Sequence, residues 1–444
     1  MSAPETKNKT GPSLVFRLAL LSLMGLVLAW SGPGRAAGSS GYLFPFGMGV
    51  YMDRVVNQPP LPQELAGLAK AAGVRWTREE FLWRIIEPER GKYDEDKLAQ
   101  YDSLVATARN NNLEILGLMA YQNHWSSGLR APSTEQHFND FADYAAFLAG
   151  RYRGVIKYWE IWNEPNSSTY WPPEPNSFHY TQLLKKVSVA VKKVYPTVKI
   201  VGCSLAGLSP ADMSFATEVF EFGGGDYLDV VSIHPYTRPA PLETSPVELA
   251  NIGALRQLTR KYGPEKPIWI TEMGYATCQA ESGVSRTRQA ELLVRSYLTA
   301  ISQGVEVVFW YNFKDDGLSE GRVEDNFGVI TNEEAYPPLE PKDAYQAFQT
   351  MTYLLSRSEF AGEVVLGENK KGLLFRDGHT NLATLVVWIM DQTEEDVQEE
   401  IEIPLQGTVG SVLNMFGQAQ EFSGDGQSVR VTVSGAPIYI RGGF

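Results

Sequence analysis

The chain of 444 residues has little cysteine and histidine, with two and five copies respectively. Zinc sites and disulfide-rich scaffolds need clusters of these residues, so neither is expected, and no cofactor or metal ion is indicated. Basic residues are also fewer than acidic ones. The chain has 39 Lys and Arg and 52 Asp and Glu, which gives a net charge of −13. An acidic surface argues against nucleic acid as a partner and against polyanions held by general electrostatics.

Long hydrophobic runs are missing except near the amino terminus. There, three basic residues precede the apolar run 18–30, which has 13 residues, and Gly34 and Ala36 follow it. This pattern is typical of a secretory signal peptide. The run is short for a bilayer span, so we predict that residues 1–36 are removed and that the mature protein is secreted or periplasmic. An uncleaved signal anchor is the weaker alternative.

The remaining chain is long enough for one large and one small core. Its first part alternates short apolar runs, typical of strands, with segments whose apolar residues recur at the three-to-four spacing of helices. The predicted strands are Phe44–Tyr51, Val74–Glu79, Leu113–Met119, Val155–Trp162, Val198–Gly202, Leu228–His234, Pro267–Glu272 and Val305–Tyr311. The predicted helices include Leu61–Ala72, Glu95–Asn110, Phe138–Tyr152, Phe178–Val194, Val247–Tyr262 and Ser285–Ser302. Strand–helix alternation repeated eight times predicts an α/β fold, the (β/α)₈ or TIM barrel.

After a last helix near Ala344–Leu355 the pattern changes to short strands separated by Gly and Asp turns. These strands are predicted at Glu363–Val365, Gly372–Arg376, Leu382–Ile389, Glu399–Ile403, Val412–Met415, Ser428–Val433 and Ile438–Ile440. Their spacing fits a small antiparallel β-sandwich. We therefore predict a barrel at residues 43–355 and a C-terminal accessory sandwich at residues 356–444.

Two of the predicted barrel strands end on a glutamate. The fourth stops on Asn163-Glu164-Pro165, where proline cannot continue a ladder and biases Glu164 toward extended backbone. The seventh ends on Glu272. Each motif alone is weak, and Glu164 by itself fits a solvated loop start. Both carboxylates are expected on the same rim, however, where barrel active sites lie, and paired carboxylates are typical of enzymes that cleave glycosidic bonds.

Other strand ends add candidates to this rim. His234 and Tyr236 follow the sixth strand and can donate to a carboxylate, although a core histidine beside an aromatic ring is the alternative. Arg78, in the second strand, can hold a carboxylate ionised, or form only a surface salt bridge. Aromatic residues near strand ends fit either stacking on sugar rings or core filling: Trp83, Tyr121, Trp125, Trp310 and Tyr311.

With these residues the chain resembles the clan of retaining glycoside hydrolases that carry glutamates on strands 4 and 7 of a (β/α)₈ barrel. The sequence Trp162-Asn163-Glu164-Pro165 matches the clan's acid/base motif, and Glu272 matches its nucleophile. The Trp-Asn-Glu-Pro-Asn and His-Pro-Tyr motifs and the terminal β-domain are most similar to family 39, which holds β-xylosidases and bacterial endo-acting exopolysaccharide hydrolases. Family 5 is a near rival. At Tyr311 the chain departs from many relatives, which carry tryptophan there.

The resemblance implies hydrolysis of β-glycosidic bonds in a poly- or oligosaccharide by double displacement, with retention of configuration. Glu272 would attack the anomeric carbon, and Glu164 would protonate the leaving oxygen and later deprotonate water. The supporting residues would be Arg78 and Tyr236 beside the nucleophile, Asn163 at the sugar 2-hydroxyl and His234 in the same network, with Tyr121, Trp125 and Tyr311 binding substrate.

Two alternatives stay open at this point. One is a transglycosylase that uses the same site, with an acceptor sugar in place of water. The other is a non-catalytic carbohydrate-binding barrel, against which the presence of both acids argues. The sugar, the linkage, exo or endo action, the oligomeric state and glycan binding by the C-terminal domain are not fixed by the sequence.

Overall fold

The computed structural model describes residues 44–55, 62–335, 337–390 and 397–444. The predicted signal peptide at residues 1–36 lies outside the described residues. In the part of the chain that is described, no helix combines the length and the apolar character needed to cross a membrane.

Eight parallel strands close into a barrel. They are β1 (Phe46–Met48), β2 (Trp76–Leu82), β3 (Glu114–Ala120), β4 (Tyr158–Ile161), β5 (Lys199–Leu205), β6 (Val230–Ile233), β7 (Ile268–Met273) and β8 (Val307–Trp310). Each strand pairs with the next, and β1 closes the ring by pairing Phe46–Met48 with Val308–Trp310 of β8. The predicted barrel is confirmed, and every predicted barrel strand overlaps an observed one.

Helices surround the barrel, and most lie where the sequence predicted them. They are α1 (Pro62–Ala72), α2 (Trp83–Ile86), α3 (Glu95–Asn110), α4 (Glu135–Arg151), α5 (Ser177–Val194), α6 (Pro210–Glu221), α7 (Pro246–Lys261), α8 (Arg286–Ser302) and α9 (Asp343–Leu355). The sequence analysis omitted α2 and α6. A start signal for α6 was present, because Ser209 and Asp212 bond reciprocally to each other's backbone N–H in a capping box.

The end of the barrel at the amino ends of its strands is filled by aromatic rings that come from several strands. Trp76 packs edge-on against Tyr158 and Trp269, with ring centroids 5.3 Å apart in both pairs. Phe309 lies 6.3 Å from Trp269 and belongs to the same buried cluster. These rings fill the interior at the amino ends of the strands, opposite the carboxyl-end rim where barrel active sites lie.

The C-terminal region is an antiparallel sandwich of two sheets, which confirms the prediction. Its strands are β9 (Ser358–Glu363), β10 (Lys370–Asp377), β11 (Ala383–Ile389), β12 (Glu399–Pro404), β13 (Val409–Leu413), β14 (Ser423–Gly424), β15 (Ser428–Val433) and β16 (Ile438–Gly442). One sheet has the order β13-β16-β11-β10-β9 and the other β12-β15-β14. Strand β9 begins at Ser358, five residues before the predicted Glu363 (363 − 358), and the short β14 was not predicted.

The sandwich shares an apolar core with the barrel. On one face of β11, Leu385 and Val387 pack inside the sandwich, whereas Val386 and Trp388 belong to the barrel core. The indole Nε1 of Trp388 also donates to Glu243, a buried residue between β6 and α7, over 3.0 Å. The proposed boundary near residue 355 lies between α9 and β9, yet the two parts are joined by continuous packing.

Candidate active site

Glu164 lies in the loop that leaves β4, with its side chain 13% exposed. The extended backbone expected before Pro165 is wrong, because Glu164 has φ of 46°, in the left-handed region. A local turn takes precedence over the proline preference: the Ser167 backbone N–H donates to the Glu164 carbonyl over 2.9 Å. Trp162, also left-handed with φ of 70°, anchors the same loop by donating from its indole to the Tyr170 carbonyl at 2.9 Å.

Glu272 lies in β7 near its end, with its side chain 15% exposed. Its Oε1 accepts a hydrogen bond from the Tyr236 hydroxyl at 2.7 Å, and its Oε2 accepts one from Arg78 Nη1 at 3.0 Å. Both carboxylate oxygens are therefore held by donors of the barrel rim. The rotation of this side chain is restricted before any substrate binds.

The two glutamates face each other across the rim. One oxygen of Glu164, one of Glu272 and a ring nitrogen of His234 all lie within 4.8 Å of one another. Such a group can in principle hold a metal ion, which the sequence analysis did not anticipate. Here, however, Arg78 places a positive charge 3.0 Å from Glu272 and Nδ1 of His234 is bonded to Glu164, so these protein groups already satisfy the candidate ligand atoms.

Arg78 connects three strands of the barrel at this rim. Its Nε bonds Glu160 at 2.7 Å, its Nη1 bonds Glu272 and lies 3.3 Å from the Tyr51 hydroxyl, and its Nη2 bonds Asn163 Oδ1 at 2.8 Å. Burial by itself would lower the pKa of the guanidinium, but the charges of Glu160 and Glu272, the Tyr51 phenol and the hydrogen bond to Glu160 together outweigh it, so the pKa is raised. Arg78 is therefore a buried, permanently charged group beside the nucleophile candidate.

Glu160, in β4, is a residue of this site that the sequence analysis missed. It is fully buried, and its Oε1 accepts a hydrogen bond from the Thr271 hydroxyl at 2.8 Å. Burial tends to raise its pKa, but the charge of Arg78 together with the surrounding hydrogen-bond donors outweighs burial, so the pKa is lowered. A signal for this residue existed, because a charged side chain within an aromatic strand requires a buried partner, and Arg78 offers the matching charge.

His234 is buried at the end of β6 and joins the two sides of the site. Its Nδ1 lies 2.9 Å from Glu164 Oε1. Its Nε2 lies 3.0 Å from the Thr271 hydroxyl and 3.3 Å from the Ser204 hydroxyl. His234 is therefore a core residue, as the alternative supposed, and one of its ring nitrogens also contacts a candidate catalytic carboxyl.

The loop after β6 is fixed by several hydrogen bonds. Burial and the charge of Glu272 raise the pKa of Tyr236, which keeps its phenol a donor. The neighbouring Thr237 hydroxyl lies 2.9 Å from the Tyr275 hydroxyl, which donates to the Ala240 carbonyl at 3.0 Å. These contacts hold the segment that presents Tyr236 to the nucleophile candidate.

The predicted aromatic residues separate into two groups. Tyr121 stacks on Tyr170 with centroids 5.7 Å apart, and Tyr311 packs edge-on against Tyr51 at the same distance. Burial raises the pKa of both Tyr121 and Tyr311, and the Glu272 charge acts in the same direction, so both rings border the site.

Trp125 does not join this group. Among the described residues its contacts are with the Glu87 carbonyl, which its indole reaches at 2.8 Å, with Trp83 at 5.2 Å and with Arg90. None of these contacts involves Glu164 or Glu272. A role for Trp125 in substrate binding stays a prediction without structural support.

Tyr170 and Tyr51 border the site and were missed. Burial, followed by the charges of Glu164 and Glu272, raises the pKa of Tyr170 to about 12. Tyr51 follows β1 and contacts Arg78. Tyr170 belongs to a loop without apolar periodicity, so no sequence pattern pointed to it. Tyr51 is the last residue of the predicted first strand, so its position as an aromatic residue at a strand end was a usable signal.

A glycine after the nucleophile candidate allows strands β7 and β8 to approach closely at their ends. A Cβ at Gly274 would lie 2.0 Å from the Tyr311 carbonyl oxygen. The Tyr311 backbone N–H donates to the Met273 carbonyl at 2.7 Å. Any side chain at position 274 would therefore separate Tyr311 from the rim.

Comparisons with known proteins give matches of structure alone. No family model matches the sequence, and no curated protein matches it significantly. A family 39 glycoside hydrolase from Bacteroides cellulosilyticus WH2 is similar with a TM-score of 0.74 and 23% identity, over 89% of this chain and 80% of that one. A family 51 α-L-arabinofuranosidase from Bifidobacterium longum has a TM-score of 0.61 and 13% identity, over 90% and 96%.

A glucosidase from Croceicoccus marinus is also similar, with a TM-score of 0.61 and 14% identity, over 93% of this chain and 97% of that one. The resemblance to barrel glycoside hydrolases that the motifs predicted is thus confirmed at the level of the fold. The likeness extends beyond the barrel, since the matched share of this chain exceeds the barrel's own length.

Proposed function

We propose that this chain is a retaining glycoside hydrolase that cleaves β-glycosidic bonds by double displacement. The observation that carries the proposal is the spacing of two carboxylates, since oxygens of Glu164 and Glu272 lie within 4.8 Å on one barrel rim. Retaining enzymes hold their carboxyl groups roughly 5–5.5 Å apart, whereas inverting enzymes need about 6.5–9.5 Å to admit a water molecule. The short spacing favours direct attack by a carboxylate.

Glu272 is the nucleophile in this proposal. Arg78 and Tyr236 donate to its two oxygens and stabilise a carboxylate whose orientation is fixed. In the first step a Glu272 oxygen bonds to the anomeric carbon while the bond to the leaving oxygen breaks. In the second step a water oxygen replaces Glu272 and the sugar is released with its original configuration.

Glu164 is the acid and base in this proposal. It gives a proton to the leaving oxygen in the first step and removes one from water in the second. Its Oε1 contacts His234, and the side chain is partly exposed toward the rim. An acid that must reach both a glycosidic oxygen and a water molecule needs this combination of anchoring and access.

Asn163 supports binding of the sugar in this proposal. Its Oδ1 accepts from Arg78, so the amide nitrogen is the end that remains to donate to a sugar hydroxyl. The ring faces of Tyr121, Tyr170 and Tyr311 border the same rim and provide surfaces for the apolar faces of sugars.

A panel of aryl glycosides and β-linked polysaccharides tests the activity and its stereochemistry. It should include glucosides, xylosides and arabinofuranosides, because solved structures of similar fold are named for such activities. We expect NMR to show that the first product anomer keeps the configuration of the substrate, and we expect a chelator to leave the rate unchanged. A product of inverted configuration would refute the proposed covalent intermediate.

Azide rescue tests the separate roles of the two glutamates. Glu272→Ala should be inactive on every substrate, and azide should give it a glycosyl azide of inverted configuration. Glu164→Ala should still react with activated aryl glycosides, accumulate the intermediate, and give with azide a product of retained configuration. Glu114→Ala, which alters an exposed glutamate at the amino end of β3, is the matched control and should behave as the native protein. Two azide products of the same configuration would contradict the assignment.

A further inference from the structure

A continuous series of hydrogen bonds joins the nucleophile to the acid/base through the interior of the barrel. It runs from Glu272 through Arg78 to Glu160, and from Glu160 through Thr271 and His234 to Glu164. Its internal links measure between 2.7 and 3.0 Å. The chemistry of the groups determines which atom donates the hydrogen in each bond of this series.

The series has a fixed direction at Thr271. Glu160 is fully buried, bonded to Arg78 and held with a lowered pKa despite its burial, so it is a carboxylate and can only accept. The hydroxyl of Thr271 has a single hydrogen, and the bond to Glu160 Oε1 uses it. Toward His234, therefore, the Thr271 oxygen can only accept.

His234 must accordingly carry a hydrogen on Nε2. That nitrogen lies 3.0 Å from the Thr271 oxygen, and two lone pairs at this distance would repel each other. The Ser204 hydroxyl oxygen, 3.3 Å from the same nitrogen, can accept from the same hydrogen. A neutral ring with its hydrogen on Nε2 presents a bare lone pair at Nδ1.

Nδ1 faces Glu164 Oε1 at 2.9 Å, and this contact also needs a hydrogen. Two states supply it: a protonated Glu164 that donates to a neutral ring, or an imidazolium that donates to a carboxylate. A neutral ring that faces an ionised Glu164 would place two lone pairs against each other. The hydrogen bonds thus disfavour loss of the last proton shared by this pair.

We propose that Thr271 and Glu160 are positioning residues that hold the His234 hydrogen on Nε2 and thereby oblige the Glu164–His234 pair to retain the proton used in catalysis. This inference rests on the proposed glycosidase function. When the bond to the leaving oxygen breaks and Glu272 bonds to the anomeric carbon, the proton passes from the pair to that oxygen. The lone pairs then left facing each other make the pair a stronger base, which takes a proton from water in the second step.

Other charged and titratable groups also face this pair. Glu272 and Arg78 lie on the nucleophile side, and Tyr170 and Glu324 feel the charge of Glu164 from neighbouring loops. All of them remain in place when Thr271 alone is altered. An effect that appears when Thr271 is replaced by valine, but not when it is replaced by serine, therefore reports on the hydrogen bond between residue 271 and His234.

The test compares Thr271→Val with Thr271→Ser in pH profiles of kcat/KM. Valine removes the acceptor for Nε2, and the Ser204 hydroxyl can then donate to that nitrogen while the ring hydrogen moves to Nδ1 and supports an ionised Glu164. We expect the alkaline limb of Thr271→Val to move to lower pH by about one unit, roughly the effect of one net hydrogen bond. The acid limb should not move, and Thr271→Ser should keep the native profile. An unmoved alkaline limb in Thr271→Val would overturn the proposal.

A second measurement does not depend on activity and reads the tautomer in the native protein. Nitrogen-15 NMR of the native protein distinguishes protonated from unprotonated ring nitrogens, and among five histidines the His234 signals are those lost in His234→Gln. We expect a protonated Nε2 at every pH at which the protein is folded. A neutral ring protonated only on Nδ1 would overturn the inference even if the protein is a glycosidase. Absence of glycosidase activity with a protonated Nε2 would instead refute the proposed function and leave the tautomer assignment intact.

Discussion

Two buried arginine–glutamate pairs serve different parts of this molecule. Arg78 and Glu160 lie in the barrel rim with Nε and Oε2 2.7 Å apart, and Arg295 and Glu243 lie between the barrel and the sandwich with Nε and Oε1 2.5 Å apart. All four side chains are at most 1% exposed. Chemically the two pairs are nearly identical.

The pairs differ in where their remaining hydrogen bonds lead. Arg78 also donates to Glu272 and Asn163, which are the groups proposed to meet the sugar. Arg295 also donates to the Gly435 carbonyl of the sandwich at 3.3 Å. A buried ion pair adds little net stability, but removal of one partner costs about 3–5 kcal/mol because a buried charge is left uncompensated. Both pairs should therefore matter for folding, and only the first should matter for chemistry.

The largest effect is expected from Arg78→Met. Glu272, the proposed nucleophile, would lose one of its two donors, and Asn163 would lose the contact that fixes its amide. We expect kcat/KM of the folded variant to fall by about 10³-fold, the range seen when one preorganised donor is removed from an active site. Steady-state kinetics on protein shown to be folded by near-UV circular dichroism gives the answer. A loss smaller than tenfold would mean that the guanidinium does not organise the site.

A large effect on stability alone is expected from Arg295→Met. Glu243 would remain buried without its cation, so the free energy of unfolding should fall by roughly 3 kcal/mol. Among molecules that remain folded, kcat/KM should stay within about twofold of the native value. Denaturant titration and kinetics on the same preparation test this division. A tenfold fall in kcat/KM without loss of stability would show that the two pairs are not separate in function.

A smaller effect is expected from Trp388→Phe. This substitution keeps an aromatic ring and deletes the indole donor to Glu243, so the free energy of unfolding should fall by about 1–2 kcal/mol beyond the packing change. Trp159→Phe is the matched control, because within the described part of the chain the buried indole nitrogen of Trp159 has no acceptor. Equal losses in the two variants would show that the hydrogen bond to Glu243 contributes nothing.

The smallest effect on stability is expected from substitution of Asp53, an acid outside the two arginine–glutamate pairs. Burial, and then the charge of Glu80, raises the pKa of Asp53 from 3.8 to about 7, and its backbone N–H contacts the buried Glu79. The folded state therefore binds more protons than the unfolded state between these values, so this group's contribution to stability falls as pH rises through that window. Asp53→Asn should raise the thermal midpoint by a few degrees at pH 8 and by less at pH 5. Equal shifts at both pH values would contradict this.

The sequence predicted the fold well because its evidence is local. Apolar runs and three-to-four spacing located the barrel strands, and the ends of two such runs located Glu164 and Glu272. The parallel arrangement then predicted both on one rim, and in the structure oxygens of the two lie within 4.8 Å of one another. The prediction omitted helix α6, although the capping box formed by Ser209 and Asp212 marks its start.

The hydrogen bonds between side chains of the site were harder to predict from the sequence. Glu160 and Thr271 act across strands that are far apart in sequence, and nothing local assigns a partner to either residue. Trp125 was chosen because an aromatic residue after a strand matched the expected pattern; its indole bonds to the Glu87 carbonyl, and its role in substrate binding stays a prediction. Side-chain direction in loops depends on tertiary contacts that a single sequence does not display.

The closure of the barrel has a consequence for its motions. Strand β1 has three residues and pairs with β2 at only two positions, Gly47 with Trp76 and Met48 with Thr77. The contact between β1 and β2 is therefore the shortest in the ring, since β1 pairs with β8 at three positions, and local opening begins where few buried hydrogen bonds hold a segment. Tyr51 follows directly and contacts Arg78. Amide exchange at β1 should thus measure how often Arg78, which bonds the proposed nucleophile Glu272, loses its contact with Tyr51. Local opening of the barrel would in this way alter the geometry of the candidate site.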